Sequence, residues 1–396
     1  MAETTRVVSG DRSPYLAARL QGFGTTIFSE MSALAVKTGS VNLGQGFPDT
    51  DGPAVVSDAA IAAIRAGQNQ YPPGRGVPEL LAAVARHQRR FYDIELDPDR
   101  EILVTAGATE AIAAAILGIC EVGDEVVMFE PYYDSYAACV ALAGAQRRVV
   151  PLRAPDWSFR EEDLTCAITP RTRLVLLNSP HNPTGKVFSA TELELIARLC
   201  VAHDLIAVCD EVYEHLVFDG PHLPLSRFVD MADRTISISS GAKTFSFTGW
   251  KVGWATGPEP LIDAVRTAKQ FLTYVNAAPF QPAIALGLDL DDAFYRGVAS
   301  DLRDKRDRLS AGLSELGLSV FHSAGTFFIT TDVSPLGDED AVTFCSNLPY
   351  RAGVVAIPSS VFYDDKEAGR TLVRWTFCKR DDVLDEALLR LKRLSP

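Results

Sequence analysis

The sequence is poor in basic residues, in paired cysteine motifs and in long apolar runs. Lys and Arg number 38 against 51 Asp and Glu among 396 residues, a formal charge of −13. Phosphate backbones and anionic lipids attract a basic face, so neither a nucleic-acid nor a membrane partner is expected. An acidic substrate would need a local Arg or Lys working against the global field. The seven cysteines, at 120, 139, 166, 200, 209, 345 and 378, are odd in number and never spaced Cys-x-x-Cys. They read as free thiols of a reducing compartment, with no disulfide framework and no metal site. The first residues lack the apolar core of a signal peptide. The apolar stretch Ala111–Cys120 is shorter than the about 18–20 residues of a membrane span. These absences predict a cytoplasmic protein.

Nucleotide and hydrolase signatures are missing too. The segments starting at Gly44 (GQGFPD) and Gly74 (GRGVPE) both lack the third glycine of a dinucleotide fingerprint. Pro180–Lys186 ends in Gly-Lys but has no upstream glycine and no following Ser or Thr, so it is not a P-loop. No His-Glu-x-x-His and no Gly-x-Ser-x-Gly occurs.

What is present is an alternating pattern. Short β-rich runs lie at 102–105, 125–129, 148–152, 174–177, 205–209, 235–239 and 252–255, with helical stretches such as 110–120 and 190–203 between several of them. Strands alternating with helices predict an α/β fold, a mostly parallel mixed sheet with helices on both faces. After Pro282 the texture becomes helical and charged, with DLRDKRDR at 301–308, a helix suited to bridging two lobes. Strands at 326–331 and 372–377 and a final amphipathic helix over 383–394 follow. The expected organisation is a large domain over 46–290 and a smaller α+β domain formed by 1–45 with 291–396.

Four segments fall at the C-terminal ends of these strands, where open α/β sheets bind ligands. Ala106-Gly107-Ala108-Thr109 leads into a helix and offers backbone N–H groups to an anion; a plain glycine turn is the simpler account. Asn178 to Gly185 contains two Pro turns that would aim an amide into the crevice; Asn and Pro are also ordinary turn residues, and His181 reads as one of them. Asp210-Glu211-Val212-Tyr213 ends an apolar strand with a carboxylate that needs a cationic or hydrogen-bonding partner, or simply caps a helix. Ser240-Gly241-Ala242-Lys243 ends another strand with a lysine among small and aromatic residues. Burial and a neighbouring cation would lower its pKa and leave an amine able to form an imine, whereas most lysines are merely exposed. Taken in series, an amine, an anion cradle, a carboxylate and amide or phenol donors match the needs of pyridoxal phosphate.

The series Asn-Pro-x-Gly, Asp-x-x-Tyr and Ser-x-x-Lys resembles the class I/II aminotransferases, pyridoxal-phosphate enzymes of fold type I. The likeness runs from Val41-Asn42-Leu43-Gly44-Gln45-Gly46-Phe47-Pro48 to Arg374-Trp375. Within the family the chain is most similar to bacterial N-succinyldiaminopimelate aminotransferases, which serve lysine synthesis, in the kynurenine/glutamine/methionine branch. A carbon–sulfur β-lyase on the same scaffold would share every residue named. The resemblance implies that Lys243 tethers pyridoxal 5'-phosphate as a Schiff base and shuttles a proton. It implies Asp210 on the pyridine nitrogen, Asn182 and Tyr213 on the phenolic oxygen, and Tyr133 stacked on the ring. Ala108, Thr109, Ser240 and Lys251 would hold the phosphate, with Lys where many relatives have Arg. Arg374 would pair with the substrate α-carboxylate, helped by the Gly46 backbone and Asn182. Tyr71 would reach the phosphate of a partner subunit, making the enzyme a homodimer with shared active sites. Val275-Asn276-Ala277 would line the partner's pocket and leave room for a long polar substrate. Arg19 and Arg75 are candidates for a second, distal carboxylate. The reaction implied is ping-pong transfer between an amino acid and a 2-oxo acid.

Overall fold

The computed structural model describes residues 15–24 and 26–394. Its strands are β1 (Val41–Asn42), β2 (Ile102–Thr105), β3 (Glu125–Glu130), β4 (Gln146–Pro151), β5 (Thr172–Asn178), β6 (Ile206–Asp210) and β7 (Thr235–Ser240). These are followed by β8 (Gly253–Thr256), β9 (Ser319–Val320), β10 (Phe328–Asp332), β11 (Val354–Val355), β12 (Ile357–Pro358) and β13 (Leu372–Thr376). Seven of them form one sheet in the order β2-β8-β7-β6-β5-β3-β4. The predicted boundaries differ from these by one or two residues at most sites, as strand ends set by long-range pairing usually do.

Strand alternation builds the two faces. Val126, Met128, Leu174, Leu176, Val208 and Ile238 point to one side and pack with the helices Gly107–Ile119 and Asp134–Leu142. Val127, Phe129, Val175, Leu177 and Cys209 point to the other side and pack with the helix Ala190–Ala202. Both faces are covered, which is why β5 reads as a continuous apolar run. That helix starts with a full capping box: the Ser189 side chain accepts from the Glu192 backbone N–H while Glu192 accepts from Ser189.

The sheet is not wholly parallel. β8 runs antiparallel to both β7 and β2. Reversing once against each neighbour leaves β2 pointing the same way as β7, β6 and β5. The C-terminal ends of all four therefore meet at one edge, and Lys251, just before β8, enters from that edge as well.

The remaining strands form smaller sheets. β12-β13-β10-β9 is antiparallel throughout, and β1 pairs in parallel with β11, tying the segment at 41–42 to the segment at 354–355. The charged helix Asp292–Glu315 is fastened by its arginines: Arg306 is buried, donates to the Ser323 carbonyl at 2.8 Å and reaches Asp219 at 3.2 Å, while Arg308 pairs with Asp381 and Asp385. Among the described residues no helix is long and apolar enough to cross a membrane, and all seven cysteines are free thiols, six of them buried.

Candidate active site

The ends of β2, β5, β6 and β7 open into a cavity of about 330 Å³. Eleven of the twelve residues expected to hold the cofactor or the α-carboxylate line it: Gly46, Ala108, Thr109, Tyr133, Asn182, Asp210, Tyr213, Ser240, Lys243, Lys251 and Arg374. Tyr71 does not. Its ring is 82% exposed and meets Tyr274 edge-on at 5.5 Å, beside the exposed Phe271.

At the β2 end, Gly107 opens the helix Gly107–Ile119 at φ +76°, a left-handed conformation that only glycine adopts without strain. A Cβ there would sit 3.0 Å from the Lys251 amine. The missing side chain lets that amine approach the helix N-terminus, where free N–H groups and a cation together favour an anion. Thr109 and Ser240 add hydroxyls at the same wall.

Asp210 ends β6 and is 5% exposed. Its Oδ2 accepts from the Tyr136 hydroxyl at 2.5 Å, and its Oδ1 from the Val212 N–H at 3.3 Å. Burial pushes the carboxyl up to about 6, against those two hydrogen bonds. No Lys, Arg or His among the described residues lies within ion-pair distance of it, so it is a buried acid with room for a cationic partner.

Lys243 follows β7 in a single helical turn, Gly241–Thr244. Its amine lies 3.5 Å from the Gly46 carbonyl and over the rings of Phe327 and Tyr213, at 5.4 and 5.7 Å. Burial lowers its pKa below the ordinary lysine range; Cys378 and Asp210 oppose the shift and Lys251 and Arg374 reinforce it. The amine is thereby moved toward the neutral, nucleophilic form.

Arg374 sits mid-strand in β13 at 1% exposure. Its two terminal nitrogens donate to Asn182 Oδ1 at 3.0 Å and to the Gly44 carbonyl at 2.8 Å, and its Nε has no partner. Phe328, at 4.0 Å from the guanidinium carbon, with Phe28 and Phe362 at 5.0 Å, walls it in. Burial pulls its pKa down to about 10. A sealed guanidinium with no carboxylate within ion-pair distance is costly on its own and suited to an incoming one. Asn182 is itself held by Asn178, whose Oδ1 accepts its backbone N–H at 2.8 Å. Gly46 belongs to the same wall: a Cβ there would collide with Phe328 at 2.4 Å.

Sequence reasoning missed Tyr136, Asn178 and the aromatic wall of Arg374. Tyr136 could have been found, since it stands one helical turn after Tyr133 and so shares its face; the rings meet at 5.7 Å. Two expectations need correction, those for Arg75 and Arg19. Asn276 donates its amide to the Thr105 and Lys251 carbonyls at 3.1 and 3.0 Å, so the loop Val275-Asn276-Ala277 fastens the anion wall, while its Oδ1 has no partner. Arg75 is tied to Asp263 at 2.6 Å and to the Arg100 carbonyl, outside the cavity. Arg19 is exposed at the end of the turn Ala18–Leu20 and does not line the cavity. His181 is a buried turn residue, as expected, with its Nδ1 2.7 Å from Thr184 Oγ1.

A neutral-leaning amine, a buried acid, an anion cradle and an unpaired guanidinium in one cavity fit pyridoxal phosphate and an amino-acid carboxylate. Comparison with known proteins agrees. The sequence pattern of the aminotransferase class I and II family matches residues 38–391. The solved N-succinyldiaminopimelate aminotransferase of Mycobacterium tuberculosis is 55% identical, covering 96% of this chain and all of that one, with a TM-score of 0.94. Methionine aminotransferase of Escherichia coli is 38% identical over 378 residues, 95% of this chain and 98% of its own. Kynurenine–oxoglutarate transaminase 3 of Rattus norvegicus is 38% identical over 402 residues, 94% of this chain and 88% of its own. The chain belongs to the aminotransferase class I and II family and is a pyridoxal-phosphate-dependent transaminase.

Proposed function

We propose that this transaminase moves the amino group of an N-succinylated diaminopimelate to 2-oxoglutarate by a ping-pong mechanism, as a step of lysine biosynthesis. The observation that carries the reading is Arg374: one buried, uncompensated guanidinium in the same cavity as Lys243 and Asp210. The choice of substrate rests on the likeness to the mycobacterial enzyme. Residues 46–290 form the cofactor-binding domain, and the described parts of 1–45 and 291–396 form the smaller one; residues 1–14, 25, 395 and 396 lie outside the described residues. The exposed aromatic face of Tyr71, Phe271 and Tyr274 supports a homodimer in which Tyr71 serves the neighbour's phosphate site. The free thiols support a cytoplasmic protein.

Pyridoxal phosphate supplies an electrophilic carbon and a conjugated ring that accepts the electron pair left when the substrate Cα–H bond breaks. The residues of this chain do the rest. Lys243 would tether the cofactor, and its amine would take and return the substrate Cα proton. Asp210, kept dry beneath the cavity, would keep the ring nitrogen protonated by charge pairing. Asn182 and Tyr213 would donate to the phenolic oxygen, and Tyr133 would cover the ring face. Ala108, Thr109, Ser240 and Lys251 would bind the phosphate. Arg374 fixes the α-carboxylate in two directions, which sets the Cα–H bond against the ring.

The test is a donor panel with 2-oxoglutarate. N-Succinyl-diaminopimelate is expected to give the highest kcat/KM, above methionine, kynurenine and glutamine. A higher value for any of those three replaces the assigned substrate. Steady pyruvate release from a β-thio amino acid, without consumption of an oxo acid, moves the enzyme to the carbon–sulfur lyases.

A further inference from the structure

Behind the cofactor wall, on the opposite face of the sheet, lies a second cluster of titratable side chains that the transaminase reaction does not use. Three of the six histidines of the chain are there: His87, His215 and His222. His87 comes from the helix Pro78–Tyr92, and Glu214 and His215 come directly after the Asp210–Tyr213 segment. His87, Glu214, His215 and His222 are 2, 3, 9 and 6% exposed. One ligand atom each from His87, Glu214 and His215 lies within 4.8 Å of the other two. The imidazole Nε2 atoms of His87 and His215 are 2.6 Å apart. Glu211 is buried beside them, with Oε1 3.7 Å from His222 Nε2.

This cluster is poorly satisfied. Glu214 Oε1 accepts from the Ser239 hydroxyl and the Tyr92 hydroxyl lies against the same carboxylate, while Oε2, His87 Nδ1 and both ring nitrogens of His222 have no hydrogen-bond partner. Buried polar atoms are nearly always paired, with protein, ordered water or an ion, so so many in one place call for an occupant. The donor set says which. Imidazoles and a carboxylate suit a divalent transition ion. Charge points the same way: no Lys or Arg among the described residues is paired with Glu211 or Glu214, and Arg90, which faces His87 and His215, is already paired with Asp292.

We propose that His87, Glu214 and His215 form a site for a zinc-class divalent ion in the wall behind the cofactor cavity. An entering ion replaces the His87–His215 hydrogen bond. With bonds of about 2.0–2.1 Å in tetrahedral geometry it spreads the two nitrogens to about 3.3 Å. The ion would be structural: none of its three ligands lines the cofactor cavity, and its effect would be to clamp the helix Pro78–Tyr92 against the segment that carries Asp210 and Tyr213.

The experiment uses the full-length holoenzyme, stripped with a chelator, loaded with cobalt(II) or zinc and freed of excess ion by gel filtration. One equivalent of metal per chain is expected by elemental analysis. The cobalt form should show the visible ligand-field bands of a tetrahedral site, distinct from the cofactor's absorption. Glu214→Gln and His215→Asn should each lower retained metal at least tenfold, and Lys243→Ala, which leaves the cluster intact, should retain it in full. Less than a tenth of an equivalent on wild-type protein overturns the proposal and leaves ordered water as the occupant. Loss of metal in Lys243→Ala overturns it too, by placing the ion at the cofactor. Because wild-type stoichiometry decides by itself, a variant that fails to fold does not rescue the idea, and neither result bears on the transaminase assignment.

Discussion

Two buried polar clusters share one stretch of backbone and differ in what their orphan atoms face. Asp210 and Ser240 turn toward the cofactor cavity; Glu214 and Ser239, a few residues or a single residue away, turn toward the histidine cluster. In the first cluster the costly groups, the Lys243 amine and the Arg374 guanidinium, face about 330 Å³ of open volume. In the second, the unpaired atoms sit among packed rings: His215 lies 4.3 Å from Tyr295 and 4.7 Å from Phe91. A polar group on a cavity can wait for a ligand that comes and goes. One sealed in a wall must keep its partner for the life of the fold. The same alternation of strand residues therefore yields a reactive site on one side and a structural one on the other.

The largest effect that can break this contrast is at Lys243. Lys243→Ala removes both tether and base, and turnover should fall by about 10⁴-fold or more. Borohydride treatment should no longer attach the cofactor to the chain, as read by intact mass. Turnover near wild type would mean that the cavity side is not the reactive one. Arg374→Ala comes next. Two charge-assisted hydrogen bonds, each about 1.5–3 kcal/mol, are lost, so kcat/KM should drop by roughly 10²–10⁴-fold for every amino acid. Arg374→Lys restores charge without the fork and should recover only part of it. An unchanged kcat/KM across the donor panel would remove Arg374 from the site. Asp210→Asn should cost about 10²–10³-fold in kcat, the size of one preorganised electrostatic contact. Cofactor absorption should shift in the same variant, since the ring nitrogen loses its charge partner; a normal spectrum with normal kcat would leave Asp210 as a helix cap.

The reactive side was legible because each of its parts is local. Asn182, Asp210 and Lys243 each stand within a few residues of a strand end, and the strands announce themselves by apolar runs. Arg374 was reachable only through family resemblance, because nothing near it in sequence marks a mid-strand arginine as unpaired. The antiparallel run of β8 was not readable either: a four-residue buried strand has the same pattern in either direction. The tie that Asn276 makes to the Thr105 and Lys251 carbonyls was not readable either, because small and polar residues suggest only space. The histidine cluster is the opposite case. His87 meets His215 across 128 residues, and no spacing rule connects a helix near residue 87 to the strand end at 210.

The smallest predicted effect uses His181 as the partnered counterpart of the orphan histidines. It is 1% exposed, with its Nδ1 paired to Thr184. Burial, aided by Lys186 and opposed by the Pro131 backbone, pulls its pKa down to about 3. The unfolded chain has the ordinary value near 6.5. Between those values the unfolded state binds a proton that the folded state refuses. Stability contributed by a neutral His181 is therefore complete above about pH 6.5 and drains away as pH falls, by up to about 1.4 kcal/mol per pH unit. His181→Gln keeps a hydrogen-bonding group near Thr184 and cannot titrate. Urea unfolding at pH 7.5 and pH 5 should show wild type losing up to about 2 kcal/mol more than this variant across the interval. Equal losses would mean that His181 is protonated in the folded protein and finds a counter-charge. Turnover at pH 7.5 should stay within a few-fold of wild type, because His181 lies outside the cavity lining. A large loss would give it a place in the site after all, and the division between a reactive side and a structural side would have to be redrawn around it.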